Sequence, residues 1–107
     1  MKNSDSPPPA CLSDEAGRWW KTITEDWLLE PHSKIILTSA LESFDRMNQA
    51  KAIVDKEGLV VADRFGQPRP HPAALLERDA RAAMERALKS LNLDMEPIGV
   101  IGRPGGN

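Results

Sequence analysis

The chemistry this chain offers is that of basic side chains, concentrated in its second half. Six of them fall in one contiguous stretch that we predict to be a turn followed by a helix: Arg64, Arg69, Arg78, Arg81, Arg86 and Lys89. Guanidinium and ammonium groups contact phosphate oxygens, so a surface that binds a nucleic-acid backbone is one interpretation. A solvated surface is the other, because Glu77 and Glu85 lie four residues before Arg81 and Lys89 in the order that favours pairing.

Residue patterns typical of catalysis or metal binding are absent from the sequence. Cys11 is the single cysteine, while His32 and His71 are far apart and each lies among prolines. Neither these residues nor the acids have the spacing of a zinc site or of a nuclease metal cluster. Gly58 and Gly66 stand alone and form no phosphate-binding loop. We therefore predict a binding or assembly role, with no catalytic residue, no metal and no cofactor.

Composition limits the size and the partners of the protein. The chain has 107 residues, a net charge of −2 and a sequence pI of about 5.6. One small domain follows from this length, and such a domain is marginally stable unless self-association buries more surface. An acidic chain binds nucleic acid only through a local basic patch or through many copies. The single cysteine fits a reducing cytoplasm, and neither a membrane span nor a secretory signal is predicted.

Hydrophobic periodicity predicts a first helix that begins after Ser13, a hydroxyl cap followed by two acids, and ends near Leu28. Its apolar face contains one alanine, one isoleucine and two tryptophans, with a third tryptophan beside them: Ala16, Ile23, Trp20, Trp27 and Trp19. An aromatic platform for stacked bases is an alternative use of this face. The helical spacing favours packing in the core.

A second, longer helix is predicted from about Lys34, capped by Ser33, to Glu57, with Gly58 as its stop. Its apolar face is long and continuous: Ile36, Leu37, Ala40, Leu41, Phe44, Met47, Ala50 and Val54. Since the connection between the first two helices is short, we expect them to form an antiparallel hairpin or a helix-turn-helix-like corner.

The two halves of the chain are joined by a connector rich in proline. Residues 59–62 form a short predicted strand that turns at residues 63–66 and pairs weakly with residues 67–69, and Gly66 is expected at positive φ. A third helix is predicted from Pro72 to about Leu91. Its apolar face is rich in small residues: Leu76, Ala80, Ala83, Met84, Ala87 and Leu91.

The predicted fold is therefore mainly α, a helical hairpin plus a third long helix, joined by a short β-like turn. Residues 1–11 are expected to be a disordered arm, residues 12–94 a single helical domain, and residues 95–107 a flexible tail. Eight residues are assigned roles in stabilising the fold or in self-association: Trp20, Trp27, Phe44, Met47, Gly66, Leu76, Met84 and Leu91.

Two segments resemble a known family. The run Asp63-Arg64-Phe65-Gly66-Gln67-Pro68-Arg69-Pro70-His71-Pro72, followed by Glu77-Arg78-Asp79-Ala80-Arg81, is similar to the small terminase subunit of tailed bacteriophages. The order of features also matches over roughly residues 12–94. A tryptophan-containing helix comes first, then a long alanine-rich helix, the turn motif and an arginine-rich helix.

The resemblance implies a DNA-packaging protein that is not an enzyme. Small terminase subunits assemble into rings, bind double-stranded phage DNA at the packaging-initiation region and deliver it to the large subunit, which carries the ATPase and nuclease. This implies the cytoplasm of the infected host as the location, with no membrane or small-molecule substrate. We assign the six basic residues to DNA on this basis.

The alternative is a small transcription regulator that reads DNA with a helix-turn-helix built from the first two helices. The start of the would-be recognition helix carries few side chains suited to base edges. Oligomeric state separates the two hypotheses, because a regulator is usually a dimer and a packaging subunit a larger ring.

Overall fold

The computed structural model describes residues 7–92, and in them three helices are joined by one short β-hairpin. The elements are α1 (Asp14–Asp26), α2 (Pro31–Glu57), β1 (Val60–Ala62), β2 (Pro68–Pro70) and α3 (Pro72–Ser90). The prediction of a mainly helical fold with a β-like connector is confirmed. Residues 1–6 of the predicted disordered arm lie outside the described residues, and so does the whole of the predicted flexible tail.

Helix α1 begins at the predicted cap. The Ser13 side-chain oxygen accepts a hydrogen bond from the Ala16 amide at 3.1 Å. The same hydroxyl donates to Asp45 Oδ1 at 2.5 Å, and the Ser13 amide donates to Asp45 Oδ2 at 2.9 Å. Asp45 therefore ties the start of α1 to the middle of α2. The helix ends at Asp26, two residues before the predicted end, because Trp27 is already extended.

The predicted cap of α2 at Ser33 is wrong. The helix begins at Pro31, and Glu30 is the N-cap residue, with no side-chain capping bond. The amides of Ser33 and Lys34 already donate to the Glu30 carbonyl, at 2.9 and 3.1 Å. A proline fits the first helical position because its missing N–H would have had no partner there. The stop at Gly58 is confirmed, with φ of 96°.

The long antiparallel pair of the fold is α2 and α3. Val54 near the end of α2 packs in one cluster with Ala73 at the start of α3. At the other end of the pair, Leu37 in α2 belongs to a second cluster, against which Leu91 packs just after α3. The main helix contact is therefore between α2 and α3, and not between the first two helices as predicted. Alanines such as Ala50 let α2 and α3 approach closely.

Helix α1 packs against the first half of α2 and completes the second cluster. Ala16 and Trp20 are buried there with Leu41, whereas Ile23 is only partly buried. The Trp20 indole N–H has no hydrogen-bond partner among the described residues. Burial of Ala16 and Trp20 confirms that this face of the helix packs in the core.

Candidate nucleic-acid and assembly surfaces

The turn of the hairpin is organised by the Asp63 carboxylate. Its Oδ1 accepts from the amides of Phe65 and Gln67 at 2.8 and 2.9 Å, and its Oδ2 accepts from Arg69 Nε at 3.0 Å. These bonds, led by the Gln67 amide and then Arg69, lower the pKa of Asp63. Gly66 has φ of 79°, which confirms the predicted positive value. The turn is therefore a fixed structure.

This turn presents Phe65 to solvent. The Phe65 side chain is 73% exposed. The guanidinium carbon of Arg64 lies 5.0 Å from the centre of the Phe65 ring, which is cation–π distance. Both strands below the turn are exposed along nearly all of their length. The hairpin therefore extends from the end of the α2–α3 pair without packing on the helices.

His71 anchors the hairpin to both long helices, and the sequence reasoning missed this role. Its Nδ1 accepts from the Ala73 amide at 2.9 Å and so caps α3. Because Nδ1 accepts, Nε2 carries the ring proton and donates to Glu57 Oε1, 2.7 Å away. The His71 amide also donates to the Leu59 carbonyl at 2.7 Å. The available signal was the position of His71 immediately before a proline at the first helical position.

Three of the six predicted DNA-binding residues have an acidic partner. Arg69 pairs with Asp63 at 3.0 Å, and Arg78 pairs with its neighbour Asp79 at 3.1 Å. Arg81 pairs with Glu77 at 3.0 Å, as its spacing predicted. Within residues 7–92 no ion pair is formed by the other three, which are Arg64, Arg86 and Lys89, so the predicted pair of Glu85 with Lys89 is wrong.

The six residues do not form one patch. Arg86 and Lys89 are exposed near the end of α3, and Arg78 lies on the same outer side of the helix. Arg64 and Arg69 belong to the hairpin, before the start of α3. Arg86 follows Pro72 by fourteen residues, which is about 21 Å along a helix. The structure therefore separates a basic helix surface (Arg78, Arg86 and Lys89) from the two hairpin arginines.

An apolar groove opens between α1 and the α2–α3 pair, and we call it the α1 groove. Its volume is about 470 Å³. All three helices line it: Trp19, Thr22, Ile23, Asp26, Trp27, Leu41, Phe44, Met47, Met84 and Leu88. Four of the residues predicted to act in structure or self-association are among them. Leu76 is not, since it is 63% exposed and lines a separate groove on the other side of the α2–α3 contact.

The α1 groove is acidic at one edge. Asp26 lies in its wall at the C-terminal end of α1, and Glu25 precedes it. The last turn of α1 contains no basic residue. A helix C-terminus carries partial negative charge, which a nearby cation would balance. The groove therefore combines apolar walls with a negative edge that α1 itself does not balance.

The described residues hold no group of three or more His, Cys, Asp or Glu side chains arranged to bind a metal ion. In the same part of the chain, no helix is long and apolar enough to cross a membrane. A hydrogen bond to Glu42 is the main cause of a raised pKa for the Cys11 thiol. A raised pKa disfavours the thiolate, which is the nucleophilic form of a cysteine.

Comparison with known proteins gives one result. The family model described as "Phage terminase, small subunit" matches residues 16–100. The match begins inside α1 and includes α2, the hairpin and all of α3. No curated protein and no solved structure matches the chain.

Proposed function

The chain belongs to the phage terminase small-subunit family, and from this we propose that it is a non-catalytic packaging subunit. In this proposal it self-associates, binds viral genomic DNA at the packaging-initiation site, and recruits and regulates the large subunit that holds the ATPase and nuclease. The observation that carries the proposal is the family match, which covers α1 from residue 16 and all of α2, the hairpin and α3. Membership of the family itself supports a role in phage DNA packaging.

Self-association is the first step of the proposal. The apolar α1 groove and the exposed apolar side chains of the hairpin supply surface that a second copy can bury. We expect a closed assembly larger than a dimer. Native mass spectrometry at micromolar concentration measures its subunit number. A dimer would instead favour the helix-turn-helix regulator, and a monomer at every concentration would contradict both.

We assign the main DNA contact to the basic helix surface of Arg78, Arg86 and Lys89. Two of its three cations, Arg86 and Lys89, have no acidic partner within residues 7–92. Arg69, Arg78 and Arg81 each hold a carboxylate at 3.0 or 3.1 Å, so a phosphate must displace that partner before it can bind. Arg86 and Lys89 therefore contribute most to this surface. Because the chain is acidic overall, binding requires this surface to be repeated around an assembly.

Salt dependence tests this assignment. Counterion release lowers the logarithm of the binding constant by about 0.9 per phosphate contact for each tenfold rise in salt. The double variant Arg86→Ala/Lys89→Ala should therefore bind duplex DNA more weakly and with a flatter salt dependence, at unchanged subunit number.

The matched control is Arg69→Ala/Arg81→Ala, which removes the same charge from residues already paired and should weaken binding less. The rival location is the exposed side of α1. If Arg18→Ala/Lys21→Ala abolishes binding while the α3 variant binds like the parent protein, the DNA surface is on α1.

A further inference from the structure

Two apolar features of the described residues face solvent in complementary shapes. One is Phe65, a protruding ring at the tip of the hairpin, exposed over 73% of its surface. The other is the α1 groove, a concave surface of about 470 Å³ whose walls are mostly tryptophan, methionine and other apolar side chains. Aromatic anchors that enter apolar pockets dominate the energy of protein interfaces.

The tip of the hairpin is already fixed in the conformation that would bind. Asp63 holds the turn through three hydrogen bonds, and His71 holds the base of the hairpin against α2 and α3. Docking a preorganised loop loses little conformational entropy, which favours binding. The rigid turn therefore suits Phe65 to insertion into a partner.

The two features cannot meet within one chain. The groove residue nearest the hairpin along α3 is Met84, which follows Pro72 by twelve residues, about 18 Å of helix. The strands are exposed and do not fold back over the helices. Among the described residues, the hairpin tip can therefore reach the groove only from a second copy.

Charge favours the same pairing. Arg64 lies over the Phe65 ring and forms no ion pair with a described residue. The groove has Asp26 in its wall, at the negative end of α1, whose last turn contains no basic residue. An inserted Phe65 would carry the Arg64 cation to this acidic edge.

We propose that the Arg64–Phe65 tip of one copy inserts into the α1 groove of the next copy, with Arg64 beside Asp26. The proposal rests on the ring assembly of the proposed function and specifies its contact. Since tip and groove are different surfaces, the contact is head-to-tail, and repeating it gives a ring when the rotation closes. Each copy donates one tip and accepts another.

Truncation of the anchor is the first test. Phe65→Ala should raise the dissociation constant of the assembly about thirty-fold or more, as expected for an aromatic anchor. Leu59→Ala is the control, because Leu59 is an exposed apolar residue of similar exposure (65%) at the base of the hairpin. Native mass spectrometry across a dilution series measures both, and circular dichroism confirms that each variant is folded. Assembly of Phe65→Ala at the parent protein's concentration would overturn the docking proposal.

A charge exchange gives the second test. Arg64→Glu and Asp26→Lys should each weaken assembly, and the double variant should restore it, because the two exchanged side chains again have opposite charges across each contact. Glu25→Lys is the matched control for α1, since Glu25 is adjacent to Asp26 but does not line the groove. Failure of the double variant to regain assembly would refute the pairing.

Cross-linking reports the direction of the contact. Gln67 is exposed beside the tip and its backbone amide bonds Asp63, so a cysteine there retains the Phe65 anchor. In a Cys11→Ser background, Gln67→Cys/Thr22→Cys should give disulfide-linked ladders under mild oxidation, while an equal mixture of the two single-cysteine chains should give dimers only. Absence of cross-links in a protein that still assembles would contradict this contact and leave ring assembly standing. A parent protein that never assembles would refute the ring itself.

Discussion

Replacement of His71 tests how the hairpin is attached to the helices. The buried imidazole makes two separate hydrogen bonds: Nδ1 accepts from the Ala73 amide, and Nε2 donates to Glu57. Loss of an N-cap costs about 1 kcal/mol, and loss of a hydrogen bond costs about 1 kcal/mol. His71→Ala should therefore lower the free energy of unfolding by about 2 kcal/mol, to which the small cavity left behind adds.

A second variant separates the two bonds. Asparagine is among the best N-cap residues, so His71→Asn should retain the bond to the Ala73 amide and lose only the one to Glu57. We expect it to cost about 1 kcal/mol, half of the alanine effect. Glu57→Ala should cost no more than this, because the Glu57 side chain is 55% exposed and water replaces its bond to His71.

Urea denaturation followed by tryptophan fluorescence measures these differences, and the three tryptophans all lie in or next to α1. The melting temperatures of the His71 and Glu57 variants should also fall, by about 4 to 8 °C for each kcal/mol of stability lost in a domain of this size. If His71→Ala unfolds within about 0.5 kcal/mol of the parent protein, the imidazole is not a structural anchor. If His71→Asn is as unstable as His71→Ala, the cap is not the bond that matters.

Three further predictions concern the turn and α1. Gly66→Val should lower stability by about 1 kcal/mol or more, since a β-branched residue is strained at φ of 79°; an unchanged melting temperature would contradict this. The pKa of Asp63 is lowered on folding, so its contribution to stability is complete above the ordinary value of 3.8 and is lost as the pH falls through the lowered value. Acid titration of stability should therefore show a smaller loss in that range for Asp63→Asn than for the parent protein. Gly17→Ala should raise stability by about 0.5 to 1 kcal/mol, because the added Cβ meets only Pro8, at 3.6 Å; a loss in a urea titration would show that the contact is not tolerated.

Local signals predicted the elements of the fold well. Periodic apolar residues located all three helices, and the special positions Ser13, Gly58, Gly66 and Pro72 were assigned correctly. These features depend on neighbouring residues alone, which is why a single sequence contains them. The start of α2 was misplaced because a hydroxyl cap at Ser33 and a proline two residues earlier both signal a helix start. The proline prevailed, since its fixed φ already suits the first turn.

Contacts between distant residues were not predictable in the same way. The connection between α1 and α2 is short, yet α2 packs mainly on α3, because the hairpin returns the chain antiparallel beside it. For the candidate DNA-binding arginines other than Arg81, the sequence spacing indicated no acidic partner. Only the folded structure shows that Arg69 is held by Asp63, six residues earlier, whereas Arg86 has no described partner. The proposed DNA surface is therefore narrower than the predicted turn plus helix, and it lies on the outer side of α3.

The two prolines of β2 have a consequence for aggregation. The Asp63 amide donates to the Gln67 carbonyl, and the His71 amide donates to the Leu59 carbonyl. Pro68 follows Gln67 and Pro70 precedes His71, so both prolines occupy the alternate positions of β2 that are not hydrogen-bonded to β1. In an antiparallel pair the backbone groups at these alternate positions point outward, and here both outward sites of β2 lack an N–H. A third strand would find no donor along this edge, so the exposed hairpin resists edge-to-edge polymerisation on the β2 side. Copies of the protein at high concentration can therefore meet without joining into a continuous sheet along that edge.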